Sequence, residues 1–324
     1  MITKNIKEIF SRYRGVIIQK PHSSKAFSLI ELSIVLLIIG ILIAATISAK
    51  TLIKNSRIAA AQSKTISSPI NSIPDATIWL ESSLDKSFST DESEDGIELT
   101  GWNDIKSGSA QSVNSAADSG ASNKPIYSNS INSIQAVGFN STNDTYFNVN
   151  AVNLNNSDYT IIVLERREGS GVNYFLGDPD NLASGGSSSS EDETLVLGYS
   201  GDGTVIHSQG GTNDYDSSVE SYSSSNEGPR IFTFIQNEST GKKTYINGYL
   251  AGSSTDKTQP SNLSTLKLGK SYDGEIGEFV VFNRALKGEE RKSIEKYLQE
   301  KWRLDDISTT GQDCTSGEVS NSGC

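Results

Sequence analysis

The 324-residue sequence predicts an α+β protein: a long N-terminal transmembrane and stalk helix, then an all-β sandwich closed by a C-terminal amphipathic helix. Three observations predict it. Leu32 to Ala49 is a run of 18 uncharged, mostly apolar residues. Beyond Asp75, short apolar or alternating runs are separated by Gly, Asn, Ser and Asp, the texture of strands and turns. Between Leu286 and Trp302 apolar residues return at helical spacing. A hydrophobic content of 35% supports a folded core, and the length leaves room for about two domains.

At about 1.5 Å per residue, Leu32 to Ala49 spans about 27 Å, close to a bilayer core. Ser33, Thr46 and Ser48 do not form the polar stripe of a buried core helix. Upstream, Lys4, Lys7, Arg12, Arg14, Lys20 and Lys25 oppose the single acid Glu8, so the N-terminus stays cytoplasmic and the remainder is exported. Glu31 stands at the edge of the apolar run, where an ionised side chain is costly without a partner. Lys50 to Ser68 spaces Leu52, Ile53, Ile58, Ala59 and Ile66 at helical intervals, extending the helix as an amphipathic stalk. Pro69 and Pro74 then make a short connector.

The string Lys25-Ala26-Phe27-Ser28-Leu29-Ile30-Glu31-Leu32 resembles the processing site of type IV prepilins and type II secretion pseudopilins. The resemblance covers Lys25 to about Ser68. It implies that a prepilin peptidase of the inner membrane cuts between Ala26 and Phe27 and methylates the new amine, leaving Glu31 fifth in the mature chain. Ala26 departs from the family's usual Gly; it is also small, so the cut is expected, with slower or incomplete processing. Cleavage would remove six cations and one acid, taking the formal charge from -11 to -16. In a filament of parallel helices, Glu31 would neutralise the Phe27 amine of a neighbouring subunit and set the register. A snorkelling acid in a plain anchor is the alternative. The expected plan is a leader over 1–26, helix and stalk over 27–68, a connector over 69–75, a β domain over 76–303 and a tail over 304–324.

Strands are predicted at Thr77 to Glu81, Ile134 to Phe139, Tyr146 to Val149, Tyr159 to Glu165, Val172 to Leu176, Thr194 to Tyr199, Thr204 to His207, Ile231 to Gln236, Lys243 to Asn247, Leu266 to Gly269 and Ile276 to Asn283. Asn247-Gly248 predicts a tight hairpin, because a type I′ turn needs positive φ at both central residues. Ser107 to Asn123, Ala183 to Ser190 and Gly210 to Gly228 read as long surface loops. In the closing helix, Leu286, Ile294, Tyr297, Leu298 and Trp302 share a face expected to pack on the sandwich edge. Glu289 and Glu290 sit early and Lys301 and Arg303 late, as the helix dipole favours.

Ile78-Trp79-Leu80-Glu81 with Gly101-Trp102-Asn103-Asp104, and the run from Gly274 to Leu286, resemble the opening and closing of a laminin-G-like, concanavalin A-type jelly roll. That fold serves lectin-like modules, adhesive domains and glycoside hydrolases alike, so the site must decide. The closely spaced acids of the β-glucan hydrolases, Glu-x-Asp-x-x-Glu, are absent; Glu191-Asp192-Glu193 reads as a solvated loop edge and His207 as a structural histidine. No enzyme is predicted. Asp91-x-Ser93-x-Asp95-Gly96 resembles half of a calcium loop, with Trp102 where the bidentate acid belongs. Asp178, Asp180, Asp202, Asp214 and Asp216 crowd other loops, so calcium is the one cofactor with candidate ligands, against simple loop solvation. Tyr215, Tyr222 and Tyr272 are candidates to stack on sugar rings, whereas Trp79 and Trp102 are assigned to the core.

A formal charge of -11 without a block of consecutive Lys or Arg argues against nucleic acid, and two His with two Cys cannot assemble a zinc cluster. In an exported chain Cys314 and Cys324 are expected to oxidise to a disulfide; free or intermolecular thiols are the alternative. The expectation is a minor pilin or pseudopilin, single-pass in the inner membrane. Its helix packs with other subunits, and its acidic jelly roll, periplasmic or on a surface filament, binds a glycan or protein surface. A purely structural filament-tip or secretion-priming subunit is the rival reading, and a membrane-anchored glycoside hydrolase the distant one.

Overall fold

The computed structural model describes residues 28–304 apart from 93, 107–111, 116–123, 150–152, 178–194, 202, 209–214, 217–227, 261–262 and 264–265. The chain falls into two compact units, 1–52 and 53–324. Helix α1 (Leu29–Ile66) supplies the described part of the first unit. Leu32, Ile34, Val35, Leu36, Leu37, Ile38 and Ile39 follow one another round that part and are all exposed. Its most apolar stretch has a mean hydropathy of 2.7, and the helix is long and apolar enough to cross a membrane.

The second unit begins with the last turns of α1. A 3-10 turn at Pro69–Asn71 follows, capped by the Ser68 side chain on the backbone N–H of Ile70. Proline fits there because the first turn of a helix has no use for its missing N–H. Then come strands β1 (Ala76–Glu81), β2 (Gly101–Asn103), β3 (Ser112–Ser115), β4 (Ile126–Ile131), β5 (Ile134–Phe139), β6 (Phe147–Val149), β7 (Tyr159–Arg167) and β8 (Asn173–Gly177). They continue with β9 (Val196–Tyr199), β10 (Val205–Ser208), β11 (Tyr215–Asp216), β12 (Arg230–Asn237), β13 (Gly241–Ile246), β14 (Tyr249–Ser254), β15 (Leu266–Ser271) and β16 (Gly274–Phe282), and the fold closes with helix α2 (Gly288–Trp302).

Two antiparallel sheets form the sandwich. One runs β14-β13-β12-β7-β16-β5-β4, with β1 added to β16; the other runs β11-β10-β9-β8-β15-β6-β3-β2. Alternation along β7 explains both layers of core. Tyr159, Ile161 and Val163 point between the sheets, where they join Phe175, Phe232, Phe234, Phe279 and Val281. Ile162 and Leu164 point the other way and meet Ile231, Val280 and Phe282, covered by Ile294, Leu298 and Trp302 of α2. A strand covered on both faces loses its polar row, which is why all of β16 is buried. Helix α2 therefore lies on the outer face of the first sheet, not on the sandwich edge as its sequence pattern was expected to place it.

The end of α1 shares this outer layer through Ala61. Arg57 Nη1 donates to the Asn132 carbonyl (3.2 Å) and to Ser133 Oγ (3.1 Å), and Gln62 Nε2 donates to the Ser83 carbonyl at 2.9 Å. The Asn247-Gly248 turn has φ of 53° and 86°, as the hairpin pattern requires. Two expected loops are corrected: β3 lies within 107–123 and β11 within 210–228. Their sequences carry no apolar alternation, and pairing alone defines them, Trp102 with Val113 and His207 with Tyr215. Strands β2 and β4 were likewise not expected, whereas β14 is the second arm of the expected hairpin; residues 183–190 lie outside the described residues.

Candidate functional site

Ala26 and Phe27 lie outside the described residues, as do Ser93, Tyr222, Cys314 and Cys324. Glu31 is described. It stands in the first turn of α1, where its Oε2 accepts the backbone N–H of Ser28 at 2.8 Å. A carboxylate at a helix N-terminus satisfies an otherwise unpaired N–H and meets the positive end of the dipole. Within one subunit, then, Glu31 caps its own helix.

Inside the sandwich, the inward row of β7 turns polar after Val163. Glu165 is wholly buried and accepts the Tyr199 hydroxyl at 2.7 Å and the Tyr272 hydroxyl. Arg230 Nη1 donates to the Tyr199 oxygen at 3.2 Å, and the Arg167 guanidinium lies 4.4 Å over the Tyr199 ring. Burial pushes the Glu165 carboxyl up, with Tyr272, Arg230, Tyr199 and Arg167 pulling it down. Tyr272, expected as an exposed ligand-stacking residue, is corrected: it has no exposed surface and packs its ring against Phe139 and Phe175. Its hydroxyl serves the buried acid, and no sugar ring can reach it. Tyr215 lies in β11, its side chain outside what is described.

A second buried polar group, centred on His207, occupies another part of the inter-sheet space. His207 Nε2 lies 2.7 Å from the Tyr159 hydroxyl, and its ring meets Phe234 edge to face. Burial, helped by the charge of Lys242, pulls its pKa down to about 3, so it is neutral and structural.

Residues 21–47 match the prokaryotic N-terminal methylation motif, and residues 140–290 match Laminin_G_3, of the concanavalin A-like lectin/glucanases superfamily. The chain joins a prepilin methylation motif to a lectin-type jelly roll. No curated protein matches it. Solved structures of similar fold include the binding domain of a paraclostridial mosquitocidal protein, 17% identical with a TM-score of 0.46, over 70% of this chain and 52% of that one. Trypanosoma rangeli sialidase is 15% identical, with a TM-score of 0.44 over 70% of this chain and 33% of that one. Domain 4 of the arabinanase AbnA from Geobacillus stearothermophilus is 15% identical, with a TM-score of 0.44 over 69% of this chain and 98% of that one. The chain thus spans about half of the first of these proteins and a third of the second.

Beside Asp91, in the lectin-type domain, stands an acid that the sequence pattern did not single out. Glu92 is buried, and its Oε1 accepts the backbone N–H of Thr100 (3.0 Å) and the Thr100 hydroxyl (2.5 Å). Asp91 and Asp95 are exposed on either side. Among the described residues no group of three His, Cys, Asp or Glu is placed to hold a metal ion. Glu191, Asp192, Glu193, Asp178, Asp180, Asp202 and Asp214 lie outside the described residues.

The residues missed by sequence reading are mainly the buried ionisable ones. Glu81 and Glu278 flank Lys301 of α2 beneath Trp79, Tyr297 and Trp302. Their signal was present but weak: an acid at an otherwise apolar position of β1 and β16, and a lysine one position before Trp302.

Proposed function

We propose that this protein is a minor pilin or pseudopilin whose exported jelly roll binds a glycan or protein surface. The observation that carries the reading is the methylation motif over 21–47, which runs directly into helix α1. A lone anchor needs neither a processing motif nor an acid at the fifth mature position. The prepilin peptidase would cut between Ala26 and Phe27, and the mature helices would pack together in a filament, each Glu31 exchanging its own helix cap for a neighbour's Phe27 amine. The large β domain, of a superfamily of lectins and glucanases, is read as a binding module because the Glu-x-Asp-x-x-Glu string of the β-glucan hydrolases does not occur in the sequence. Cys314 and Cys324 would close a loop in the tail, and any calcium would sit among the loop acids.

The test is the N-terminal mass of the native protein in membrane and sheared-surface fractions. A chain beginning with methylated Phe27 is expected; an uncut chain in both fractions would overturn the filament reading. Binding of sheared filaments to a glycan array is expected, and its absence with normal incorporation would leave the structural subunit as the better account.

A further inference from the structure

Lys301, Glu81 and Glu278 have no exposed side-chain surface. The Lys301 Nζ donates to Glu81 Oε1, to Glu278 Oε2 at 2.9 Å and to the Tyr297 hydroxyl at 3.3 Å. Its ammonium also lies 5.3 Å from the Trp302 ring. Glu81 also accepts two backbone donors, Ser83 N–H to Oε1 at 2.7 Å and Leu84 N–H to Oε2 at 3.0 Å. Glu278 accepts Trp79 Nε1 at 2.7 Å, the Tyr297 hydroxyl at 2.9 Å and Trp302 Nε1 at 3.1 Å. Two carboxylates therefore share one ammonium in a site walled by aromatic rings. Burying three charges costs free energy that packed apolar side chains would not incur.

We propose that Lys301 and Glu81 condense into an amide, a covalent crosslink between β1 and α2. Glu278 takes a proton from the Lys301 ammonium. The freed amine attacks Cδ of Glu81, and the Leu84 N–H holds the oxyanion that develops on Oε2. Glu278 returns that proton to Oε1, takes a second from the attached nitrogen and passes it to the same oxygen, and the Cδ–Oε1 bond breaks as water departs. One N–C bond forms, and one water leaves with a Glu81 oxygen and two ammonium hydrogens; nothing is oxidised or reduced. Burial raises the Glu278 carboxyl, Lys301 opposing, which suits it to hold that proton. Intramolecular contact removes the entropy of bringing amine and acid together. The product replaces a buried cation and anion with one neutral amide.

The crosslink has a mechanical use. β1 is the first strand after α1, so force transmitted along the chain beyond the end of the helix reaches the sheet there. An amide from Glu81 to Lys301 ties that strand to the closing helix.

The experiment is peptide mass mapping of the full chain, extracted in detergent and digested. The peptide carrying Glu81 is expected joined to the peptide carrying Lys301, lighter than their sum by one water. Lys301→Arg should yield no joined peptide, and Glu278→Gln should slow its appearance by about a hundredfold or more. Recovery of both wild-type peptides unjoined at full mass would overturn the crosslink. An undiminished joined peptide in Glu278→Gln would overturn the role given to Glu278.

Discussion

At the scale of single residues, the buried ionisable groups make opposite demands on pH. His207 has a folded pKa of about 3 against about 6.5 unfolded, so between those values the unfolded chain binds the extra proton. Its contribution is complete above about pH 6.5 and falls by roughly 5 kcal/mol as pH drops to 3. Glu165 and Glu278, raised by burial, work the other way: they favour the fold more as pH falls. The informative measurement is therefore a difference. Urea unfolding at pH 7 and pH 4.5 should show wild type losing more stability on acidification than His207→Gln; equal losses would contradict a neutral buried His207. Lys301→Met should cost about 3–5 kcal/mol in the same assay, because it removes the partner of Glu81, as ammonium or as amide, and leaves two buried acids uncompensated.

At the scale of elements, α2 owes its seat to two backbone details. Gly277 of β16 leaves room for the Trp302 ring, which a Cβ would approach to 2.4 Å. Gly277→Ala should destabilise the domain by about 1–3 kcal/mol, with a change in tryptophan fluorescence reporting the displaced ring. The helix ends on Arg303 at φ 54°, whose N–H caps the Gln299 carbonyl. A side chain in that conformation is strained, so Arg303→Gly should raise thermal stability by about 1 kcal/mol; a loss would show that the arginine side chain matters more than its backbone.

At the scale of the whole molecule, Glu31 is the residue on which the proposed assembly would turn. Alone it caps its own helix through Ser28, so its removal should leave the β domain intact by circular dichroism. Glu31→Leu should still reach the membrane while its share in sheared filaments falls by about tenfold or more, the penalty of leaving a neighbour's amine unpaired in a low-dielectric core. Normal incorporation would reduce Glu31 to a helix cap.

Local chemistry made much of this protein legible. An 18-residue apolar run can be little other than a membrane-length helix, and the motif before it names the processing. Period-3.6 spacing from Leu286 to Trp302 and Asn-Gly at 247–248 likewise determine α2 and one hairpin by themselves. Other features depend on neighbours distant in sequence. Ser112–Ser115 is a strand because β2 and β6 flank it, and Tyr272 is buried because Glu165 needs its hydroxyl. Helix α2 covers a sheet face because β7, β12 and β16 turn apolar rows outward together. The Glu81–Lys301–Glu278 group joins residues from both ends of the domain. The sequence by itself determined which segments are helical and most of the strands rich in apolar residues, since those follow from local pattern. Only the tertiary structure decided which charges share a dry interior, because burial depends on the pairing of strands far apart in the chain.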